Sequence, residues 1–118
     1  MFDFFKKKQQ DSFNKISAIV VAAGQSSRMK MNESKLLLEI SGKPVIAHTL
    51  DALQNAESID EIIIVTREED ILIMSDIVRE YNIDKTTNIL AGGASRSESV
   101  KIGLDSAAES DLIVIHDG

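Results

Sequence analysis

Cysteine is absent from the 118 residues, so neither a disulfide nor a thiolate metal site is open to this chain, and its redox compartment is unmarked. Long apolar runs are absent too. No stretch approaches the roughly 20 residues needed to span a bilayer, and residues 1–15 hold too little continuous apolar sequence for a secretory signal. Basic charge is in the minority: 13 Lys and Arg stand against 19 Asp and Glu, a net charge of −6. That balance excludes the extended basic surface a nucleic-acid polymer requires, while a single nucleotide needs only a local patch. Glycine is sparse, and Gly24 has no companions in a Gly-x-Gly-x-x-Gly array, since Ser26 and Ser27 stand where further glycines belong. A dinucleotide fingerprint is therefore missing. Aromatic residues are few, and all four phenylalanines (Phe2, Phe4, Phe5 and Phe13) precede the first core strand. No internal repeat or low-complexity segment occurs. What remains is one soluble, cytoplasmic domain of modest core, with 43% hydrophobic and 27% charged residues.

The densest information lies in Val20–Lys35, VVAAGQSSRMKMNESK. Ile16–Val21 is a short β-branched run, the mark of a strand buried on both faces of a parallel sheet. Ala22, Ala23 and Gly24 are small enough for the backbone itself to meet a flat base or a phosphate. Arg28 adds a planar fork for phosphate oxygens and Lys35 a mobile point charge, with Lys30 beside them. A polyphosphate cradle and a plain strand-to-loop turn are both readings of this stretch on spacing alone.

Beyond it, apolar segments alternate between the two periodicities. Strands are expected at Glu61–Thr66, Thr87–Ala91 and Asp111–Ile115, with a short extended segment at Leu36–Ile40. Helices are expected at Pro44–Asn55, with Pro44 in the first turn, at Glu69–Tyr81, with Ile73, Ile77 and Val78 on its apolar side, and at Arg96–Ala107. Ser41–Pro44 reads as the turn before the first helix. Alternating strands and helices imply an α/β fold, Rossmann-like, with a mostly parallel sheet and helices on both faces. Residues 1–15 read as a loosely docked N-terminal extension, and residues 16–118 as the N-terminal part of a nucleotide-binding domain. The chain stops three residues past the last strand, where a loop and helix are expected, so a truncated domain is the expectation. In such sheets ligands gather at the carboxyl ends of the strands, where three distinctive segments all fall.

Those segments carry a specific resemblance. Ala22-Ala23-Gly24-x-x-x-Arg28-Met29 followed by Lys35, then Gly92-Gly93-Ala94-Ser95-Arg96-Ser97-Glu98-Ser99-Val100, then Ile115-His116-Asp117-Gly118, resemble in order the motifs of the 2-C-methyl-D-erythritol 4-phosphate cytidylyltransferase family. Ribitol 5-phosphate cytidylyltransferase has closely similar motifs. The resemblance implies a nucleotide-diphospho-sugar transferase-like fold and transfer of CMP from CTP to a sugar-alcohol phosphate, with release of pyrophosphate, in non-mevalonate isoprenoid synthesis. It implies Arg28 and Lys35 as catalytic residues. Nucleotide contacts would come from Ala22, Ala23, Gly24, Gln25, Ser26, Gly92, Gly93, Arg96 and Ser99, and Asp117 would hold Mg²⁺. A homodimer is implied for the full-length form. Departures are Ser26, often glycine in the family, and Ala94, acidic in some members. His116 has no clear chemical task. Alternatives are the ribitol enzyme, a nucleotide-binding fragment without activity of its own, and a guanylyl-transferring relative that would prefer GTP.

Overall fold

A computed structural model describes residues 2–6, 15–23, 39–40 and 42–118, the first and third of these stretches by backbone path alone. Strands β1 (Phe2–Lys6), β2 (Ile16–Ala22), β5 (Glu61–Thr66), β6 (Thr86–Ala91) and β7 (Leu112–Asp117) form one sheet in the order β1-β7-β2-β5-β6. A two-residue ladder joins β3 (Glu39–Ile40) to β4 (Lys43–Pro44) across Gly42, whose φ of 78° suits glycine. The helices are α1 (Val45–Gln54), α2 (Ile71–Glu80), which follows a 3-10 turn at Glu68–Asp70, and α3 (Arg96–Ser106). Among the described residues, no helix is long and apolar enough to cross a membrane.

The sheet is parallel from β7 through β2 and β5 to β6, because each crossover carries a helix or a helical connection to the next strand. β2 and β5 are buried on both faces, which is why their sequences are continuous apolar runs. Alternation divides their side chains. Ala18, Val20, Ile62 and Ile64 meet Ile46, Leu50 and Leu53 of α1 and Met74 and Ile77 of α2. Ile19, Val21, Ile63 and Val65 meet the face covered by α3. Each fully buried Ile or Val contributes roughly 1.5–3 kcal/mol. Gly103 lets α3 lie close, since a Cβ there would fall 2.6 Å from Ile19 Cγ2 and 3.3 Å from Val65 Cγ2.

Some expectations differ in detail. Residues 2–6, expected as a loose extension, pair antiparallel with β7 from Phe2 opposite His116 to Lys6 opposite Leu112, covering its outer edge. Pro44 is the N-cap of α1 rather than part of its first turn. In α2 the core is filled by Met74 and Ile77, with Val78 packed at its margin, while Ile73 is 43% exposed. The 3-10 turn delays the start of α2, whose inward face runs through Met74 and Ile77. Of the segment expected at Leu36–Ile40 only Glu39–Ile40 lies within the described residues, and Lys43–Pro44, expected within a turn, pairs with it; the other strands and helices fall where the periodicity placed them, to within two residues at each end.

At the amino ends of the strands, polar groups are tied together. Glu61 accepts hydrogen bonds from Ser17 Oγ at 2.7 Å and Thr87 Oγ1 at 2.6 Å, and Lys15 Nζ lies 3.3 Å away. Ser17 is also bonded to Ser110. Burial, the largest single influence, pushes the Glu61 pKa up, but the hydrogen bonds from Thr87, Ser17 and Lys15, with the Lys15 charge, together hold it below the usual value. A cavity of about 320 Å³ near this end, lined by Ile16, Leu53, Ile59, Leu112 and Val114 among others, is almost wholly apolar.

Candidate functional site

The chain runs from β2 outward to β5 and β6 and then returns to the other side of β2 as β7. The switch point lies between β2 and β7, and the crevice beyond their carboxyl ends is where such folds take ligands. Val21 is in register with Asp117, and Gly118 N–H donates to Val21 O at 3.0 Å. Ala22 and Ala23 are thus at the switch point beside His116 and Asp117.

The loop after β6 reaches the same place. Gly92 N–H donates to Thr66 O at 2.8 Å, carrying the ladder one residue past the strand. A Cβ on Gly92 would lie 2.5 Å from Ala23 Cβ and 2.6 Å from Ser99 Oγ, so only glycine admits this approach. Gly93 N–H donates to Ser99 Oγ at 3.1 Å, and Ser99 is buried beneath the loop rather than on the surface of α3. The N-terminus of α3 is closed by a reciprocal cap. Ser95 Oγ accepts from Glu98 N–H at 3.1 Å, and Glu98 Oε2 accepts from Ala94 N–H at 2.9 Å. Ser95-x-x-Glu98 is a legible capping pattern, and Glu98 was not among the residues singled out by sequence. Its carboxylate lies close against Gly93, at the position an added Cβ would fill.

Arg96, in the first turn of α3, is bonded to the end of β7. Its Nε donates to Asp117 Oδ1 at 2.9 Å and its Nη2 to Asp117 Oδ2 at 3.1 Å. The second and third motifs are joined by this fork. The end of β5 bears no acid suited to a ribose: Thr66 is buried, and Arg67 donates from Nε to Asp70 at 2.8 Å, a bond that raises its pKa. The pKa of His116 lies below the usual value, chiefly through burial, although the neighbouring Asp117 acts to raise it.

Ala22, Ala23, Gly92, Gly93, Arg96, Ser99 and Asp117 are therefore brought to one edge of the sheet. Gly24, Gln25, Ser26, Arg28, Lys30 and Lys35 lie outside the described residues. Among the described residues, no group of three or more His, Asp or Glu is placed to hold a metal ion. One carboxylate at a strand end still fits Mg²⁺, which takes one or two carboxylates with phosphate and water completing its octahedron.

The family model for 2-C-methyl-D-erythritol 4-phosphate cytidylyltransferase (IspD) matches residues 16–118. The chain belongs to this family. A cytidylyltransferase of that name from Clostridium acetobutylicum is 45% identical over 102 residues, covering 86% of this chain and 44% of the relative. One from Dehalococcoides mccartyi is 41% identical over 104 residues, covering 88% and 45%. Among solved structures, the 4-diphosphocytidyl-2C-methyl-D-erythritol synthase of Anaerococcus prevotii superposes with a TM-score of 0.72 at 36% identity, covering 87% of this chain and 42% of that one. The chain thus spans less than half the length of the curated relatives it matches. Within the cytidylyltransferase family match lie all three motifs. Residues 2–6, with β1, fall outside it.

Proposed function

We propose that this chain supplies the nucleotide-binding part of an enzyme that transfers CMP from CTP to 2-C-methyl-D-erythritol 4-phosphate and releases pyrophosphate. The observation that carries this reading is the convergence of the three motifs: Gly92 packed against Ala23 and Arg96 forked onto Asp117, at the switch point of the sheet. The names of the relatives favour this acceptor over ribitol 5-phosphate. The enzyme acts in the cytoplasm as a homodimer in its full-length form.

The base is held against small residues. Ala22, Ala23, Gly92 and Gly93 leave room for a flat ring at backbone distance, and reading cytosine needs partners for its ring nitrogen and exocyclic amine, which backbone groups supply. Ser99 serves this pocket from below by fixing Gly93 N–H. Gly24, Gln25 and Ser26 wrap the triphosphate with backbone N–H groups. Asp117 would hold Mg²⁺, which when bound would neutralise charge on the triphosphate.

The acceptor's phosphate oxygen attacks the α-phosphorus in line with the departing pyrophosphate. That phosphate is ionised near neutral pH, so no general base is required. Charge gathers on the α-phosphoryl oxygens and the leaving group, and Arg28 and Lys35 stabilise it. Catalysis is thus a matter of position and electrostatics.

Calorimetric titration with CTP and with GTP, each with and without Mg²⁺, tests the reading. Magnesium-dependent binding of CTP and not GTP is the expected result, and a preference for GTP sinks it. Pyrophosphate release with each of the two sugar-alcohol phosphates then identifies the acceptor.

A further inference from the structure

Glu98 carries more acceptor capacity than its helix cap uses. Its Oε2 accepts from Ala94 N–H at 2.9 Å, and with Ser95 this closes the N-terminus of α3. Glutamine serves such a cap as well as glutamate does, because the cap takes an acceptor oxygen and not a charge. A carboxylate offers about four acceptor positions, and Ala94 N–H fills one. Among the described residues, no Lys or Arg is paired with Glu98. The side chain lies against the loop after β6, where a Cβ on Gly93 would fall 2.5 Å from both Glu98 Cβ and Glu98 Oε2. Gly93 has no positive φ, so space for Glu98 is what calls for glycine there. The acidic group thus flanks the small residues Ala23, Gly92 and Gly93.

We propose that Glu98 reads the 4-position of the pyrimidine, its carboxylate accepting a hydrogen bond from the exocyclic amine of cytosine. This rests on the reading given above that the base lies against Gly92 and Gly93.

The chemistry of the carboxylate decides which part of a nucleotide it favours. It accepts hydrogen bonds and donates none. Cytosine presents an amine at its 4-position, a donor, where uracil presents a carbonyl oxygen, an acceptor. A carboxylate at this edge therefore attracts the first base and opposes the second, since two acceptors facing each other lose water and gain no bond. Selectivity then comes from a penalty on the wrong base as well as from a gain on the right one. Phosphates are ruled out as its partner by like charge. Ribose hydroxyls are donors too, but CTP and UTP share them, so a contact there would add affinity without distinguishing the bases.

The test is calorimetric titration of the 118-residue protein with CTP and with UTP, both with Mg²⁺ present, in wild type, Glu98→Gln and Glu98→Ala. Circular dichroism verifies that each variant is folded. Glu98→Gln is the decisive variant, because glutamine keeps the capping oxygen and adds an amide donor that suits the uracil carbonyl. Wild type is expected to prefer CTP by about tenfold or more, the lower end for a hydrogen bond to a charged group. Glu98→Gln should reduce the CTP-to-UTP ratio about tenfold, by weakening CTP and tightening UTP. Glu98→Ala should reduce the ratio as well, with a further loss common to both nucleotides from the opened cap. A wild-type preference for CTP that Glu98→Gln leaves unmoved overturns the proposal and reduces Glu98 to a cap. Equal losses for CTP and UTP in Glu98→Gln overturn it too, in favour of a ribose contact. Wild-type protein that binds both nucleotides equally, or neither, overturns the reading of the base pocket itself and the role of Glu98 with it.

Discussion

Gly92 joins two motifs that lie far apart in the chain, and its missing side chain is what lets them meet. Substituting alanine would put a Cβ 2.5 Å from Ala23 Cβ, and neither neighbour is the end of a flexible side chain. Gly92→Ala is expected to weaken CTP binding about tenfold, the equivalent of ~1.4 kcal/mol, by moving Ala23 off the base; calorimetry would check it, with unchanged affinity refuting the contact. Ser99 poses a different case. Its hydroxyl accepts from Gly93 N–H under the loop, so Ser99→Ala leaves a donor unsatisfied and costs about 1–3 kcal/mol of stability, readable in urea denaturation. Lys35 enters through the proposed chemistry, as a stabiliser of charge on the α-phosphoryl group. In the full-length enzyme Lys35→Met should abolish transfer, and pyrophosphate release within a few-fold of wild type would remove Lys35 from the mechanism. The resemblance to family motifs picked out Ala22, Ala23, Gly92, Gly93, Arg96, Ser99 and Asp117, which the fold brings to one edge, while spacing alone left a plain strand-to-loop turn open. The Arg96–Asp117 fork was not legible, since nothing in a linear sequence says that the first turn of one helix faces the end of a strand formed later.

The approach of α3 to the sheet turns on Gly103. An added methyl would press on Ile19 Cγ2 at 2.6 Å and Val65 Cγ2 at 3.3 Å, both in a filled core. Gly103→Ala gains some helix propensity, up to about 1 kcal/mol, but overpacking costs typically 1–3 kcal/mol. A net loss of stability is expected, seen as a lower thermal midpoint; a rise would mean that α3 can lift without penalty. Legibility at this level followed burial. Glu61–Thr66 was read with its observed boundaries because EIIIVT, enclosed on both faces, has no amphipathic pattern to mislead. The second helix begins at Ile71 rather than Glu69, because the backbone spends Glu68–Asp70 on a 3-10 turn with Arg67 bonded to Asp70.

Stability of the molecule depends on pH through the end of the sheet opposite the candidate site. The Glu61 pKa is depressed in the folded protein, so its contribution is fully present above the unfolded value of about 4.5 and is lost as pH falls through the lower folded value. Urea midpoints of wild type and Glu61→Gln should therefore differ at pH 7, with wild type the more stable, and converge towards pH 3. A constant gap across that range would show that Glu61 acts by shape alone. Parallel order and helices on both faces could be inferred from alternation, because a parallel strand needs a crossover. The edge strand Phe2–Lys6 could not, since FDFFK is too short to declare a period and its partner is the last strand of the chain.

That pairing bears on how the protein is made. β2, β5 and β6 can associate as soon as each leaves the ribosome, whereas β7 must insert between β1 and β2, strands synthesised long before it. Until it does, a segment with three phenylalanines among five residues waits without its partner. Contacts between such distant parts of a chain carry a large loop-closure cost and fold late. Seating β7 therefore carries the largest loop-closure cost in the sheet, since it brings Phe2 opposite His116.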